Sequence, residues 1–398
     1  MNKFVFRGAD IYTPDRHIDQ GTVLVSAGRI EAVDPTADLQ TSPDYLEIDA
    51  RQFIIAPGYI DGQTHGGNGS DFMESSPEQI AGIMGWMAST GVTGALPTIA
   101  TSSLDDQLDY IRNLRQVQQE EPPGAAILGI HLEGPYISRE HHGAQPSAFI
   151  RDPSIPEIDQ AIQASQGNIR IITLAPELPG ALDFIKHVTA QGIVAAAGHT
   201  DATYEQVIAA ADAGLSRVTH LFNAMTGLHH RQPGVVGAAL VRDELYAELI
   251  LDGEHVHPAA AQVAIRAKGL SRIVLVTDAT QAAGLKDGVY VRPGDRKIFV
   301  KDGTARLESG ILAGSVLTLD QAVRNAVHLL GLPLTEALAI ASRVPAESLG
   351  LGRSKGSLAP GKDADLLVLS QDLRVLLTLV RGRVVYQDPG FTSELPMG

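Results

Sequence analysis

Short apolar runs bounded by Gly, Pro or Asp alternate through the middle of the chain with longer, Ala-rich stretches whose apolar positions recur at helical spacing. The runs are Ile54–Ile60, Gly91–Ile99, Ala126–Leu132, Ile169–Leu174, Ile193–Ala197, Val218–Phe222, Ala247–Leu251 and Arg272–Thr277, eight in all. Helix-period stretches between them include Pro77–Thr90, Ser103–Gln119, Ala181–Gln191, Thr203–Ala213 and Pro258–Lys268, several opened by Ser, Thr or Pro, residues suited to a helix start. Such alternation predicts parallel strands joined by crossover helices. Eight βα units close a (β/α)8 TIM-type barrel; the alternative, an open doubly wound sheet, lacks its usual Gly-x-Gly-x-x-Gly after the first run.

Both chain ends carry a different texture. Lys3 to Arg7 and Thr22 to Ser26 alternate apolar and polar positions, Asp365 to Leu369 is strand-like, and Leu376 to Tyr386 has the pattern of a hairpin turning at Arg381-Gly382-Arg383. Because chain ends commonly lie close in space, residues 1–54 and 355–398 are expected to build one small, antiparallel β-sandwich domain beside a barrel of residues 55–354.

A chain of 398 residues accommodates a barrel with an accessory domain and is too large for one small binding module. Lys and Arg number 31 against 46 Asp and Glu, a net charge of −15. That balance argues against nucleic-acid and anionic-membrane partners, yet leaves open a small phosphorylated molecule, which needs only a few local donors. The absence of cysteine excludes disulfides, thiolate nucleophiles and Cys-ligated metal, so any metal must be held by His, Asp or Glu. The opening residues, MNKFVFRGADIYTPD, alternate with polar positions, and no stretch approaches the roughly 18 apolar residues of a spanning helix. These features predict a cytoplasmic protein.

Reactive side chains fall at the ends of the apolar runs. Gln63 and His65 follow the first, Glu133 ends the third, His199 follows the fifth, His220 lies in the sixth and Asp278 follows the eighth. In a barrel those ends form one face, where active sites are assembled from separate βα loops. Within His131-Leu132-Glu133-Gly134-Pro135, residues two apart point to the same side, so His131 and Glu133 can both face inward; taken alone they read more readily as a buried structural pair. A lone His is likewise more often structural than a ligand, but two of them with Glu133 supply three metal ligands and leave a position for water, the arrangement of a catalytic metal. Asp278, an N-cap or turn residue on its own showing, is the candidate general base and acid.

These motifs, in this order, resemble the amidohydrolase superfamily and, within it, the N-acetylglucosamine-6-phosphate deacetylase family. The resemblance rests on Pro57 to Gln63, His131 to Pro135, Gly198-His199-Thr200-Asp201, His220 to Met225, Asp252-Gly253-Glu254-His255, Val276 to Ala279 and Leu312 to Ser315, with Gly356 to Leu366 leading back into the small β domain. It implies hydrolysis of the acetamide of N-acetyl-D-glucosamine 6-phosphate to D-glucosamine 6-phosphate and acetate. It also implies one divalent metal per subunit on Glu133, His199 and His220, with zinc first and iron, cobalt or manganese as alternatives. For the sugar phosphate it points to Asn223, Ala224, Arg231 and His255, with Ala144, Leu312, Ala313 and Gly314 lining the pocket, and to a homodimer in which Arg231 reaches the neighbouring pocket. Gln63, His65 and Gln145 are accessory candidates: many superfamily members carry His-x-His where this chain has Gln63-Thr64-His65, and some family members carry a substrate-polarising His where it has Gln145. A cyclic-amide hydrolase is disfavoured because Ile169 to Glu177 contains no Lys. Deacetylation of the galactosamine epimer, and a sugar-phosphate binder without catalysis, stay open at this point.

Overall fold

The computed structural model describes residues 3–13, 15–36, 39–292 and 296–391. Eight parallel strands, Tyr59–Thr64, Val92–Ala100, Ile130–Glu133, Ile169–Leu174, Val194–Ala197, Arg217–Val218, Tyr246–Leu249 and Ile273–Leu275, pair in that order. The ring closes between last and first through a parallel bridge from Thr64 to Ala279 and a hydrogen bond from Asp278 N–H to Gln63 O, 2.9 Å. This is the (β/α)8 barrel. Its strands are buried almost throughout, as expected where helices cover the outer face and side chains fill the interior.

The helices start where their capping residues stand. Ser76 and Gln79 form a capping box at the head of Pro77–Ser89, and Thr203 with Gln206 does the same for Tyr204–Asp212. Each helix lays an apolar stripe on the barrel: Ile80, Ile83, Met84 and Met87 from the first, Phe184, Ile185 and Val188 from Ala181–Ala190.

Strands from both chain ends share one eight-stranded sheet. Ile54–Pro57 pairs antiparallel with Leu366–Leu369, which continues into the hairpin Val375–Val380 and Arg383–Gln387. On the other side Phe4–Tyr12 leads to His17–Ser26 and Arg29–Asp34. The pairing is not purely antiparallel: Leu46–Asp49 and Ile54–Pro57 both run parallel to Phe4–Tyr12. Inside lies a separate apolar core of residues such as Phe4, Phe6, Val23, Ile55, Leu366 and Leu377. Where the chain passes between the two cores, the Lys355 ammonium is buried against Asp363, 2.9 Å, and Asp365, 2.6 Å.

Three apolar runs divide differently from expectation. Ile54–Ile60 is not one barrel strand: Pro57 and Gly58 split it, residues 54–57 joining the small sheet and the barrel strand starting at Tyr59. A side chain at Gly58 would meet Thr93 at 2.2 Å, so the crossing is tight. Ala126–Leu132 breaks at Gly129, whose φ of 151° leaves Ile130–Glu133 as the barrel strand. Val218–Phe222 shrinks to Arg217–Val218, so His220 lies in a turn beyond the strand. A further three-stranded antiparallel sheet, built from Gly288–Arg292, Arg296–Lys301 and Thr304–Leu307, follows the eighth strand with no counterpart in the expected pattern. Among the described residues no helix is long and apolar enough to cross a membrane.

Candidate active site

Glu133 is the last residue of the third barrel strand, whereas His199, His220 and Asp278 each sit just beyond a strand end with positive φ: 49°, 33° and 49°. Few side-chain-bearing residues adopt this left-handed region, and such strain gathers at functional sites. It turns the chain sharply and aims these side chains across the barrel mouth. Gly198 makes the turn before His199 possible, since a Cβ there would fall 2.7 Å from Thr173 and 2.8 Å from Thr219.

Three donor atoms converge. His220 Nε2 lies 3.1 Å from His199 Nε2 and 3.2 Å from Glu133 Oε1, and His199 Nε2 lies 3.4 Å from the same oxygen. Tetrahedral coordination with bonds of about 2.0–2.1 Å separates neighbouring ligand atoms by about 3.3–3.4 Å, so this triangle matches one face of a divalent-metal site. Tautomers agree: His199 Nδ1–H donates to His141 O at 2.8 Å, leaving Nε2 its lone pair. Burial favours the protonated form of the Glu133 carboxyl, but its close contacts with the His199, His220 and His65 rings outweigh it and hold the group well below the usual carboxylate range. Burial likewise opposes charge on His220, yet Glu133 raises that imidazole to about 9. The pocket therefore favours positive charge between these groups, a place that a cation can take instead of a proton. Glu133, His199 and His220 fit a divalent metal by donor chemistry and spacing.

Around the triangle stand the accessory residues. Gln63 Nε2–H donates to Glu133 Oε1 at 2.6 Å, and Gln145 Nε2–H donates to Glu133 Oε2 at 3.0 Å while its Oε1 accepts from Thr101 N–H at 2.8 Å. Gln145 is thus engaged at both ends of its amide and supports the carboxylate. His65 Nε2 bridges Glu133 Oε2 at 3.3 Å and Asp278 Oδ1 at 3.2 Å; burial pulls its pKa down, but the two carboxylates raise it to about 10. The loop carrying His65 is zipped to the loop after Asp278 by hydrogen bonds from His65 N–H to Ala279 O, Asn68 N–H to Ala283 O and Gly69 N–H to Gln281 O, each 2.8 Å. Trp86 wedges against both loops, its ring 2.0 Å from where a Cβ on Gly67 would stand and 2.8 Å from one on Gly284.

His131 does not pair with Glu133. Its Nδ1 bonds Gly62 O at 3.0 Å and its Nε2 bonds Thr173 Oγ1 at 2.8 Å, deep in the barrel, and burial lowers its pKa. Beside it an Arg217–Glu248 pair, 2.6 Å, is fully buried, and Glu248 Oε2 also accepts the His220 backbone N–H at 3.1 Å. No local signal marked this pair, since each residue alone reads as surface charge.

His65, Glu133, Gln145, His199, His220 and Asp278 open onto one cavity of about 350 Å³, whereas Gln63 and the interior groups His131, Arg217 and Glu248 do not. Ala144, Asn223, Ala224, His255, Leu312 and Gly314 line it as expected. Ala313 is fully buried behind the wall, and Arg231 lies outside the cavity, exposed, its guanidinium 2.8 Å from His230 Nε2. His255 Nδ1 is held by Asp252 Oδ2 at 2.5 Å, which leaves Nε2 for a ligand. Gly314, with φ of 67°, passes so close to Asp278 that a Cβ would fall 2.9 Å from its carbonyl oxygen. Glu140, His141 and His142 also line the cavity. They went unread in the sequence although three adjacent titratable residues stand just before Gly143-Ala144-Gln145.

Comparison with known proteins points the same way. The amidohydrolase family matches residues 54–385. The N-acetylgalactosamine-6-phosphate deacetylase of Escherichia coli O157:H7 is 40% identical over 380 residues, covering 96% of this chain and 98% of the relative. The N-acetylglucosamine-6-phosphate deacetylase of Bacillus subtilis (strain 168) is 38% identical over 380 residues, covering 94% and 95%. A solved structure of the Mycobacterium smegmatis N-acetyl-D-glucosamine-6-phosphate deacetylase, a D267A mutant in complex with N-acetyl-D-glucosamine-6-phosphate, superposes with a TM-score of 0.89 at 35% identity, covering 97% of this chain and 100% of that one.

Proposed function

The chain belongs to the amidohydrolase family, and from that premise we propose that it hydrolyses the acetamide of N-acetyl-D-glucosamine 6-phosphate to D-glucosamine 6-phosphate and acetate. The observation that carries this reading is the convergence of Glu133, His199 and His220 on one point, with Asp278 beside them in a single cavity. A divalent ion, which we read as zinc, would be held by Glu133, His199 and His220 and would supply Lewis acidity toward the amide carbonyl and the attacking water. Asp278 takes a proton from the attacking water as the C–O bond forms and returns it to nitrogen as the C–N bond breaks, so the amine leaves neutral. Gln63 and Gln145 steady the Glu133 carboxylate, and His65 orients Asp278 against it.

Asn223, Ala224 and His255 receive the phosphate, while Ala144, Leu312 and Gly314 enclose the sugar. The described residues lining the cavity include no Lys or Arg. This supports a homodimer in which Arg231 supplies its guanidinium fork to the neighbouring cavity. The outer face of the inserted sheet, with Val289 and Val291 more than half exposed, offers apolar surface to a second copy. The reading of the protein as cytoplasmic is in keeping with a phosphorylated substrate, which does not cross a lipid bilayer unaided. The expected boundary at residue 55 moves a few residues along, since Ile54–Pro57 pairs in the small sheet: residues 58–354 are taken as the catalytic unit, and the preceding segment with residues 355–398 as the small β domain.

Relatives acting on both epimers lie at similar identity, so the deciding experiment compares acetate release from the glucosamine and galactosamine 6-phosphate substrates, alongside metal quantitation and sedimentation. The expected result is one divalent ion per chain, a dimer, and faster release from the gluco epimer. A faster galacto reaction overturns the epimer assignment, and no acetate from either overturns the catalytic reading.

A further inference from the structure

We propose that Asp201 is a positioning residue for His199, acting through the ring of His141; the proposal rests on the metal-site reading above. Four hydrogen bonds form a closed circuit. Ser138 N–H donates to His199 O at 2.8 Å and Ser138 Oγ–H donates to Asp201 Oδ2 at 2.6 Å. His141 Nε2–H donates to Asp201 Oδ1 at 2.8 Å, and His199 Nδ1–H donates to His141 O at 2.8 Å. Every link leads back to His199, whose backbone is in the left-handed region and whose ring orientation is fixed by a carbonyl on a different loop.

Glu177 anchors the circuit from outside, accepting Asp201 N–H at 2.7 Å and the Thr200 hydroxyl at 2.5 Å. The loop from Ser138 onward also closes over the ligand itself: Gly143 has φ of 59°, and a Cβ there would fall 3.4 Å from His199 Cε1. His141 and Asp201 side chains are 32% and 39% exposed, so their pairing contributes little to global stability. Its effect is local. With Asp201 removed, the His141 ring is released, the loop carbonyl that receives His199 Nδ1–H is free to shift, and the lone pair on Nε2 no longer points at the shared site. This gives a role to the last residue of Gly198-His199-Thr200-Asp201, which neither binds the metal nor lines the cavity.

The test measures zinc affinity of the metal-stripped full chain by competition with a chromophoric chelator, together with kcat, KM and apo melting temperature. Asp201→Ala is expected to weaken zinc binding about 10- to 100-fold. KM should hold within about threefold, the apo melting temperature should move by no more than about 2 °C, and excess zinc should restore most of the turnover. Asp201→Asn keeps an acceptor oxygen for His141 and should recover most of the affinity. In the double variant with His141→Ala the losses should not add, because both changes cut the same link. A folded Asp201→Ala chain that binds zinc within about twofold of the parent overturns the proposal. If Asp201→Ala does not fold, Ser138→Ala, which removes one link, takes its place: a several-fold loss of affinity supports the circuit and an unchanged affinity overturns it. His199→Ala separates the two levels. Unchanged affinity in that variant overturns the metal-site reading itself, whereas a loss there with none in Asp201→Ala overturns only the circuit.

Discussion

His131 and Glu133 stand two residues apart on the same face of one strand, yet they belong to polar layers that treat their hydrogen-bonding atoms in opposite ways. In the interior layer His131 has a partner on each ring nitrogen, Thr173 continues to Thr219 at 2.7 Å, and Arg217 is matched by Glu248. At the rim, His65 Nδ1, His220 Nδ1 and Gln63 Oε1 are buried with no partner among the described residues, and two imidazole nitrogens face each other at 3.1 Å. Arg217 Nη2 is the interior's own exception. Buried polar atoms without partners are costly and scarce in folded proteins. A layer that satisfies its groups internally holds the barrel; the rim instead turns His199 Nε2, His220 Nε2 and Glu133 Oε1 toward one point, the arrangement of a binding site.

The contrast breaks most sharply at the rim. Asp278→Asn is isosteric and leaves the interior untouched, so turnover should fall by about 10²–10⁴-fold while metal content and unfolding midpoint stay close to the parent's. Near-normal turnover in a steady-state assay removes Asp278 from its role. The interior should fail differently. Glu248→Ala strands a buried guanidinium and the His220 N–H, which should cost about 3–5 kcal/mol in chemical denaturation; a loss below about 1 kcal/mol means that the two layers do not differ as described. The third effect is a slope. Asp61, fully buried, is raised from 3.8 to about 7 by burial, against hydrogen bonds from Thr277 and Gln63. The folded chain then keeps a proton that the unfolded chain loses, so Asp61 makes stability decline as pH rises from about 4 to about 7, with no further change above that. Asp61→Asn, which cannot ionise, should flatten urea-unfolding stability across that window, and an unaltered slope assigns the titration elsewhere.

The βα alternation was legible because strands and crossover helices bury apolar residues at different periods, and the helix starts were legible because Ser76, Ser103 and Thr203 cap as their chemistry dictates. Glu133, His199, His220 and Asp278 could be picked out because a barrel gathers its strand ends on one face. Their backbone geometry was hidden: nothing in Ala197-Gly198-His199 or Thr219-His220 announces that the His itself takes the left-handed turn. Contacts between distant elements were hidden too. Arg217 and Glu248 find each other only when strands six and seven pair, and Gln145 reads as a pocket amide until Thr101 and Glu133 are seen to occupy it. Pro57 concealed a change of sheet inside an unbroken apolar run.

Trp86 is the chain's only tryptophan. Because its indole rests on Gly67 and Gly284, in the segments beyond His65 and Asp278, the tryptophan emission, excited at wavelengths that tyrosine does not absorb, originates at a single joint behind the catalytic groups. Unlabelled protein in a fluorimeter cuvette therefore carries its own optical gauge of that joint, and rapid mixing with substrate reads whether its environment changes before product forms.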